Sequence, residues 1–272
     1  MTADAEALFY CATKINRYNK TEQIGSGTGF YYQVDLKDNG FIPLLVTNKH
    51  VISNCSHIVV SIHMTDDPNN HKSLGSVKNC RIPINENLVI NHPDPDVDLC
   101  AIFILDEIVS QFQGEGFPYS VCIRKNDIPT EMEWRNFDAI EDVIMIGCPN
   151  GLYDSANEIP IARRGITATP LFKDYNGKKE FMVDLACFPG SSGSPVIFRR
   201  DSSIRGSFSR QSQYLIGILY SGPTINRSGQ IELGKVVEFN VRDMMHLGHV
   251  IKSSELINLE RAFRFKFDLL NR

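Results

Sequence analysis

Gly190-Ser191-Ser192-Gly193-Ser194-Pro195 is the stretch on which the reading of this chain turns. It sets a serine between two glycines, ahead of a proline, where an extended apolar segment ends. A serine hydroxyl is a weak nucleophile near neutral pH, so it needs a base and a group to orient that base. Both stand upstream. His50 follows the apolar run Leu44-Leu45-Val46-Thr47, and Asp98 opens another, Leu99-Cys100-Ala101-Ile102-Phe103. The candidate catalytic residues are therefore His50, Asp98 and Ser192, in that chain order.

A glycine two residues before the nucleophile lets the chain turn so that the N–H groups of Gly190 and Ser192 converge on one point. Fixed donors of that kind stabilise a developing oxyanion by about 3–4 kcal/mol in acyl transfer. Gly193, just after the nucleophile, is expected to leave room for a substrate. Asp94 and Asp96 compete with Asp98 for the acid role. They sit beside Pro93 and Pro95 and read as turn formers. Asp98 directly precedes a buried-looking strand, where a carboxylate can hold an imidazole in one tautomer. Other histidines, His57, His63 and His71 among them, fall in polar or loop contexts.

A chain of 272 residues can hold one large or two medium domains and bury a proper core. Its 42% hydrophobic and 22% charged content suits a soluble globular protein. The net charge is −4 with Lys and Arg scattered, so nothing suggests a concentrated basic face and no nucleic-acid partner is expected. Seven cysteines, without CxxC spacing, make neither a disulfide framework nor a zinc site. That reads as a reducing compartment, with no metal and no other cofactor. The start, Met1-Thr2-Ala3-Asp4-Ala5-Glu6, is acidic and lacks the apolar core of a secretory signal. No apolar run approaches the ~20 residues of a membrane helix. The expectation is a cytoplasmic protein with no membrane partner.

Short apolar or alternating runs, separated by Gly, Pro, Asn and Asp, recur at the spacing of all-β folds. In the first half they predict strands over Leu8–Ile15, Thr28–Gln33, Phe41–Thr47, Ile58–His63, Leu88–Asn91 and Leu99–Leu105. In the second half they predict Asp142–Ile146, Ile159–Thr167, Phe181–Ala186, Pro195–Phe198, Tyr214–Tyr220 and Val236–Asn240. Two six-stranded barrels joined by a linker are the economical arrangement, because closure removes exposed edges. The boundaries are 1–112 for a first barrel carrying His50 and Asp98, 113–136 for a linker, and 137–250 for a second barrel carrying Ser192. Residues 251–272 read as a C-terminal helix, capped near Ser253-Ser254-Glu255, with Leu256, Leu259, Phe263, Phe267 and Leu270 at helical spacing. The hydrophilic stretches Thr65–Asn79 and Arg199–Gln213 read as surface loops.

Taken together these blocks resemble the trypsin/chymotrypsin-like serine protease superfamily, and within it the HtrA-like bacterial branch, here without a PDZ domain. Gly27-Thr28-Gly29-Phe30 is similar to the family's glycine-rich opening of the first barrel. Thr47-Asn48-Lys49-His50-Val51 is similar to its histidine block and Asp98-Leu99-Cys100-Ala101-Ile102 to its aspartate block. Ile146-Gly147-Cys148-Pro149 and Arg164-Gly165-Ile166-Thr167-Ala168 resemble strands that open the second barrel, and Asp184 through Pro195 the serine block. His, Asp, Ser is also the family's order of triad residues. The resemblance implies two six-stranded antiparallel β-barrels with a C-terminal helix packed on the second. It implies a serine endopeptidase that cleaves protein or peptide substrates through an acyl-enzyme. It puts Ala186 at the base of the primary specificity pocket, and Leu219, Tyr220, Ser221 and Gly222 along the strand and turn that hold the substrate.

The chain departs from the family in places. Ser191 stands where digestive members keep an aspartate that pairs with a freed N-terminus, and no Ile-Val-Gly-Gly start is present, so activation by N-terminal cleavage is not expected. Ala186 carries no acid to select Lys or Arg, which implies a small or medium apolar residue before the cut. No cysteine directly follows His50 to form the family's usual disulfide beside the histidine. An esterase of the α/β-hydrolase type is excluded by Ser194, where Gly-x-Ser-x-Gly needs glycine, and by the triad order. Gly25-Ser26-Gly27-Thr28-Gly29 lacks nucleotide-binding spacing. The standing alternatives are a pseudoprotease or peptide-binding module of the same fold, or a protease latent until a regulatory protein partner binds.

Overall fold

The structure is a computed structural model that describes residues 5–37, 39–67, 76–199, 213–232 and 236–269. The first half supplies β1 (Ala12–Asn19), β2 (Glu22–Asp35), β3 (Phe41–Thr47), β4 (His57–Thr65), β5 (Ser76–Pro83), β6 (Val89–Asn91), β7 (Cys100–Phe103) and β8 (Phe117–Tyr119). These form one antiparallel sheet ordered β5-β4-β1-β2-β3-β7-β6, with β8 added on β4. A one-turn helix, α1 (Lys49–Ile52), follows β3. Helix α2 (Leu105–Phe112) follows β7, and α3 (Glu131–Asn136) lies in the connection to the second half.

The second half holds β9 (Asp142–Gly147), β10 (Ile161–Thr167), β11 (Glu180–Asp184), β12 (Pro195–Arg199) and β13 (Gln213–Ser221). A ribbon follows, β14 (Thr224–Glu232) against β15 (Val236–Met244), then β16 (Leu247–Lys252) and helix α4 (Glu255–Lys266). Six of these strands close a barrel in the order β10-β11-β16-β13-β12-β9, while β14 and β15 pair only with each other among the described residues.

Two-residue periodicity explains how the halves join. Along β2 and β3, Tyr31 and Leu45 face a core inside the first sheet, with Ile58, Val60 and Ile102. Their neighbours Phe30, Tyr32, Leu44 and Val46 face the other way, into a second core shared with Ile146 and Ile218 from the barrel. A third core, built on Phe181, Val196, Ile216 and Val250, fills the barrel itself. Strands covered on both faces read as continuous apolar runs, which is why Phe41–Thr47 was legible.

Several expectations are corrected. Among the described residues the first half has eight strands where six were expected, and the two ends of its sheet are not paired with each other. Leu8 belongs to a 3-10 turn over Glu6–Tyr10, with β1 starting at Ala12. Helix α2 starts at Leu105, the last residue of a predicted strand, and α3 lies within the stretch read as a linker. Strand β5 begins at Ser76, inside the stretch read as a loop, because Cys80 and Ile82 alternate with exposed neighbours. Residues 68–75 and 200–212, the remainder of both hydrophilic stretches, lie outside the described residues, as does Leu270.

At the C-terminus β16 takes residues 247–252, so the helix is shorter than expected. Ser254 precedes α4 without a capping side-chain bond. The helix packs into the shared core through Leu256, Leu259 and Phe263, not on the barrel alone. On the first sheet, Tyr32 donates to Glu260 at 2.7 Å and Phe103 packs against Phe263 and Phe267. All seven cysteines are free, and Cys11, Cys80, Cys100, Cys148 and Cys187 are buried as small apolar side chains. No helix among the described residues is long and apolar enough to cross a membrane.

Candidate active site

His50 stands on α1, where β3 ends. Its neighbour Asn48 is fully buried and donates its side-chain amide to the Asp98 carbonyl at 2.7 Å, tying the two segments together. Both oxygens of the Asp98 carboxylate then bind His50. The backbone N–H of His50 donates to Oδ1 at 3.1 Å, and the ring Nδ1 lies 2.5 Å from Oδ2. With Nδ1–H committed to the carboxylate, Nε2 is left as the acceptor, which is the tautomer a general base needs. Burial works to raise the Asp98 carboxyl. The hydrogen bonds and charge of His50, with a further bond from the Lys49 backbone, outweigh it and hold the group below its ordinary value. Asp94 and Asp96 do what turn formers do: the Asp94 carboxylate accepts the N–H of Asp96 at 2.9 Å.

The serine segment is built as a turn. Ser191 N–H donates to the Phe188 carbonyl at 3.0 Å, and Gly190 adopts φ +85°, so Phe188-Pro189-Gly190-Ser191 is a type II turn with proline and glycine in their favoured places. The Pro189 carbonyl accepts the N–H of Asn150 at 2.5 Å. A trans peptide sets C=O and N–H on opposite sides, so the Gly190 N–H points away from Asn150. A Cβ on Gly190 would stand 2.7 Å from the Cys148 carbonyl.

Gly193 has a reason beyond the one expected. Its φ is +86°, and a Cβ there would lie 2.0 Å from the Thr28 carbonyl. The glycine lets the serine turn close against β2.

Ser192 reaches the same junction through its neighbours. Its carbonyl accepts the Thr28 N–H at 3.0 Å, and the Thr28 carbonyl accepts the Thr47 hydroxyl at 2.7 Å, three residues before His50. The Ser192 hydroxyl donates to the Tyr220 carbonyl at 3.2 Å, and no bond joins it to His50. Of the predicted triad, then, His50 and Asp98 are in direct contact, and Ser192 lies at the same junction with its hydroxyl turned to Tyr220.

The predicted substrate strand lies along the serine turn. Gly193 N–H donates to the Leu219 carbonyl at 2.8 Å and Leu219 N–H to the Ser194 carbonyl at 3.0 Å. Pairing of β13 with β12 stops at Ile218, while its pairing with β16 runs on to Ser221. Among the described residues, Tyr220 and Ser221 therefore leave one backbone edge without a strand neighbour. A Cβ on Gly222 would stand 2.6 Å from the Leu247 carbonyl. The Ala186 carbonyl accepts a bond from the Arg163 guanidinium.

Two contributors were not singled out from sequence. Thr28, fully buried, uses its hydroxyl twice: it donates to the Gly190 carbonyl at 2.9 Å and accepts the Cys148 N–H at 3.0 Å. The alternating glycines Gly27 and Gly29 were its only signal. Arg163 also donates to the Ser191 hydroxyl at 3.0 Å, and nothing in Ile159–Thr167 announced it. His57 and His63 lie on β4, not in loops; His57 stacks on Tyr18 with centroids 5.0 Å apart, and His71 lies outside the described residues.

The family model described as trypsin-like peptidase domain matches residues 27–205, a span that holds His50, Asp98 and Ser192. No curated protein sequence matches the chain. Among solved structures it is similar to the serine endoprotease from Yersinia pestis, at 16% identity and a TM-score of 0.49 over 94% of this chain. The chain spans 64% of that protein's length. It is also similar to the MamO protease domain from Magnetospirillum magneticum in its apo form, at 13% identity and a TM-score of 0.47, covering 92% of this chain and 96% of that one.

Proposed function

The chain belongs to the trypsin-like peptidase family, and from that premise we propose that it is a serine endopeptidase acting through His50, Asp98 and Ser192. The observation that carries this reading is the double hold of the Asp98 carboxylate on the backbone N–H and ring Nδ1 of His50. That hold has no packing purpose on so exposed a ring, and it leaves Nε2 as the acceptor.

In the proposed reaction the Ser192 hydroxyl turns from Tyr220 to His50 Nε2 and attacks a peptide carbonyl. The Ser192 proton passes to Nε2 as the C–O bond forms, and the carbonyl electron pair moves to oxygen. The N–H groups of Gly190 and Ser192 face that oxyanion. Collapse expels the amine with the proton from His50, leaving an acyl-enzyme. Water, deprotonated by His50, attacks the ester; collapse returns the proton to Ser192 and frees the acid. Asp98 keeps the imidazolium oriented throughout. The substrate pairs as a strand with Tyr220 and Ser221, and a small or medium apolar side chain enters beside Ala186.

The bond from Ser192 to the Tyr220 carbonyl favours one variant, a resting enzyme that engages its base once a substrate or regulatory partner seats. A cytoplasmic processing role fits the free cysteines. Fluorophosphonate labelling tests the reading: wild type labels, Ser192→Ala does not, and His50→Ala labels slowly. A folded wild type that stays unlabelled, alone and with protein substrates present, would overturn it. Comparing N-termini in cells expressing wild type and Ser192→Ala then identifies the substrate.

A further inference from the structure

Arg163 is a cation the proposed mechanism does not use. Residues along β10 alternate between inward and outward faces, which turns Arg163 in and Arg164 out. Arg164 is exposed and pairs with Asp142 at 3.1 Å. Arg163 has no carboxylate within ion-pair distance among the described residues, and its Nε is buried without a partner. Burial pushes its guanidinium down from the ordinary arginine value, against the opposing influence of Cys187 and Cys148. Holding a partly buried cation without a counter-charge among the described residues is costly, so what it touches is informative.

It touches the two ends of one segment. Nη1 donates to the Ala186 carbonyl, and Nη2 to the hydroxyl of Ser191 at 3.0 Å, itself fully buried. A planar guanidinium can span two acceptors in a fixed fork, which a lysine cannot. Between these ends runs the type II turn that aims the Gly190 N–H, and Ser191 is the residue whose N–H closes that turn on Phe188. The turn is also held by Asn150 and Thr28.

We infer that Arg163 is a positioning residue that braces the 186–191 segment from inside the barrel and so holds the oxyanion turn ready. The inference rests on the peptidase reading for its consequence, but not for its structural content. Because the cation sits in mid-strand, the brace forms as the barrel folds, and Ser191 serves as its acceptor where a carboxylate would bind a freed N-terminus.

Hydrogen exchange by mass spectrometry and fluorophosphonate labelling, run together on the full chain, test it. In Arg163→Ala, amide exchange within 186–191 rises about tenfold or more while β9 and β13 keep wild-type protection. The labelling rate of Ser192 falls about 100-fold, the scale of a lost oxyanion donor. Arg163→Lys recovers part of both, and Arg164→Ala changes neither. Unchanged exchange over 186–191 in folded Arg163→Ala overturns the brace, whatever its labelling does. If Arg163→Ala does not fold, Ser191→Ala, which removes one of the two acceptors, decides by the same exchange measurement. A wild type that never labels, with exchange still responding to Arg163, removes the peptidase reading and leaves the brace standing.

Discussion

The Thr28 hydroxyl, on the first sheet, donates to the carbonyl of Gly190, in the serine turn of the barrel, at 2.9 Å. Because the same oxygen accepts the Cys148 N–H, one side chain fastens three segments at the junction of the two halves. Thr28→Val keeps the shape and removes both bonds, leaving a carbonyl and an N–H unsatisfied at about 1–3 kcal/mol each. The expected result is a lower melting temperature and a Ser192 labelling rate reduced by about tenfold or more, with Thr28→Ser close to wild type. Equal labelling in Thr28→Val and wild type would show that the turn keeps its shape without the hydroxyl.

Asp98→Asn should leave the fold intact and reduce turnover by about 10⁴, by analogy with the same exchange in the serine protease triad. An amide facing Nδ1 favours the other tautomer, so Nε2 carries the proton and cannot accept one. Steady-state kinetics with circular dichroism checks both halves of the statement. Turnover near that of wild type would move the orienting role away from Asp98.

Gly193 and Gly177 make a matched pair, since both have positive φ, +86° and +75°. A Cβ at Gly193 meets the Thr28 carbonyl at 2.0 Å, whereas one at Gly177 meets nothing within 4 Å. Gly177→Ala should cost about 1 kcal/mol, the backbone penalty alone. Gly193→Ala adds a clash with backbone that can only be relieved by parting the two halves, and about 3 kcal/mol or more is expected. Urea denaturation of both variants measures the difference, and equal costs would mean the junction gives way easily.

Acid stability should depend on Glu255, which is buried at the start of α4. His92, at 3.0 Å, chiefly holds its carboxyl down, burial opposes this, and Asn258 and Lys179 add to the lowering, for a value of about 2 against an ordinary 4.5. A group that binds its proton more weakly when folded stabilises fully above its unfolded value and loses that contribution as pH falls through the folded one. The window therefore runs from pH 4.5 down to about 2. Glu255→Gln should lose about 2–3 kcal/mol at neutral pH and show a flatter stability curve across that window. Parallel curves for the two proteins would place the acid sensitivity elsewhere, Asp98 and Asp154 being other carboxyls held low.

Much of this molecule is written locally. Proline and glycine at 189 and 190 specify a type II turn, continuous apolar runs specify strands covered on both faces, and His50, Asp98 and Ser192 each stand at the end or start of such a run. These are properties of a residue and its near neighbours, so sequence alone determined the β class, most strand positions, the serine turn and the residues proposed for the chemistry. What escaped is set by partners distant in the chain. Ser76–Pro83 is a strand because β4 lies beside it, and α4 docks on the first sheet because Tyr32 and Phe103 await Glu260 and Phe263. The eight-strand count, the direction of the Ser192 hydroxyl, the double duty of Thr28 and the inward reach of Arg163 were decided only by tertiary structure. Sequence states which groups can bond, but only the register between strands decides which of them come within 3 Å of one another.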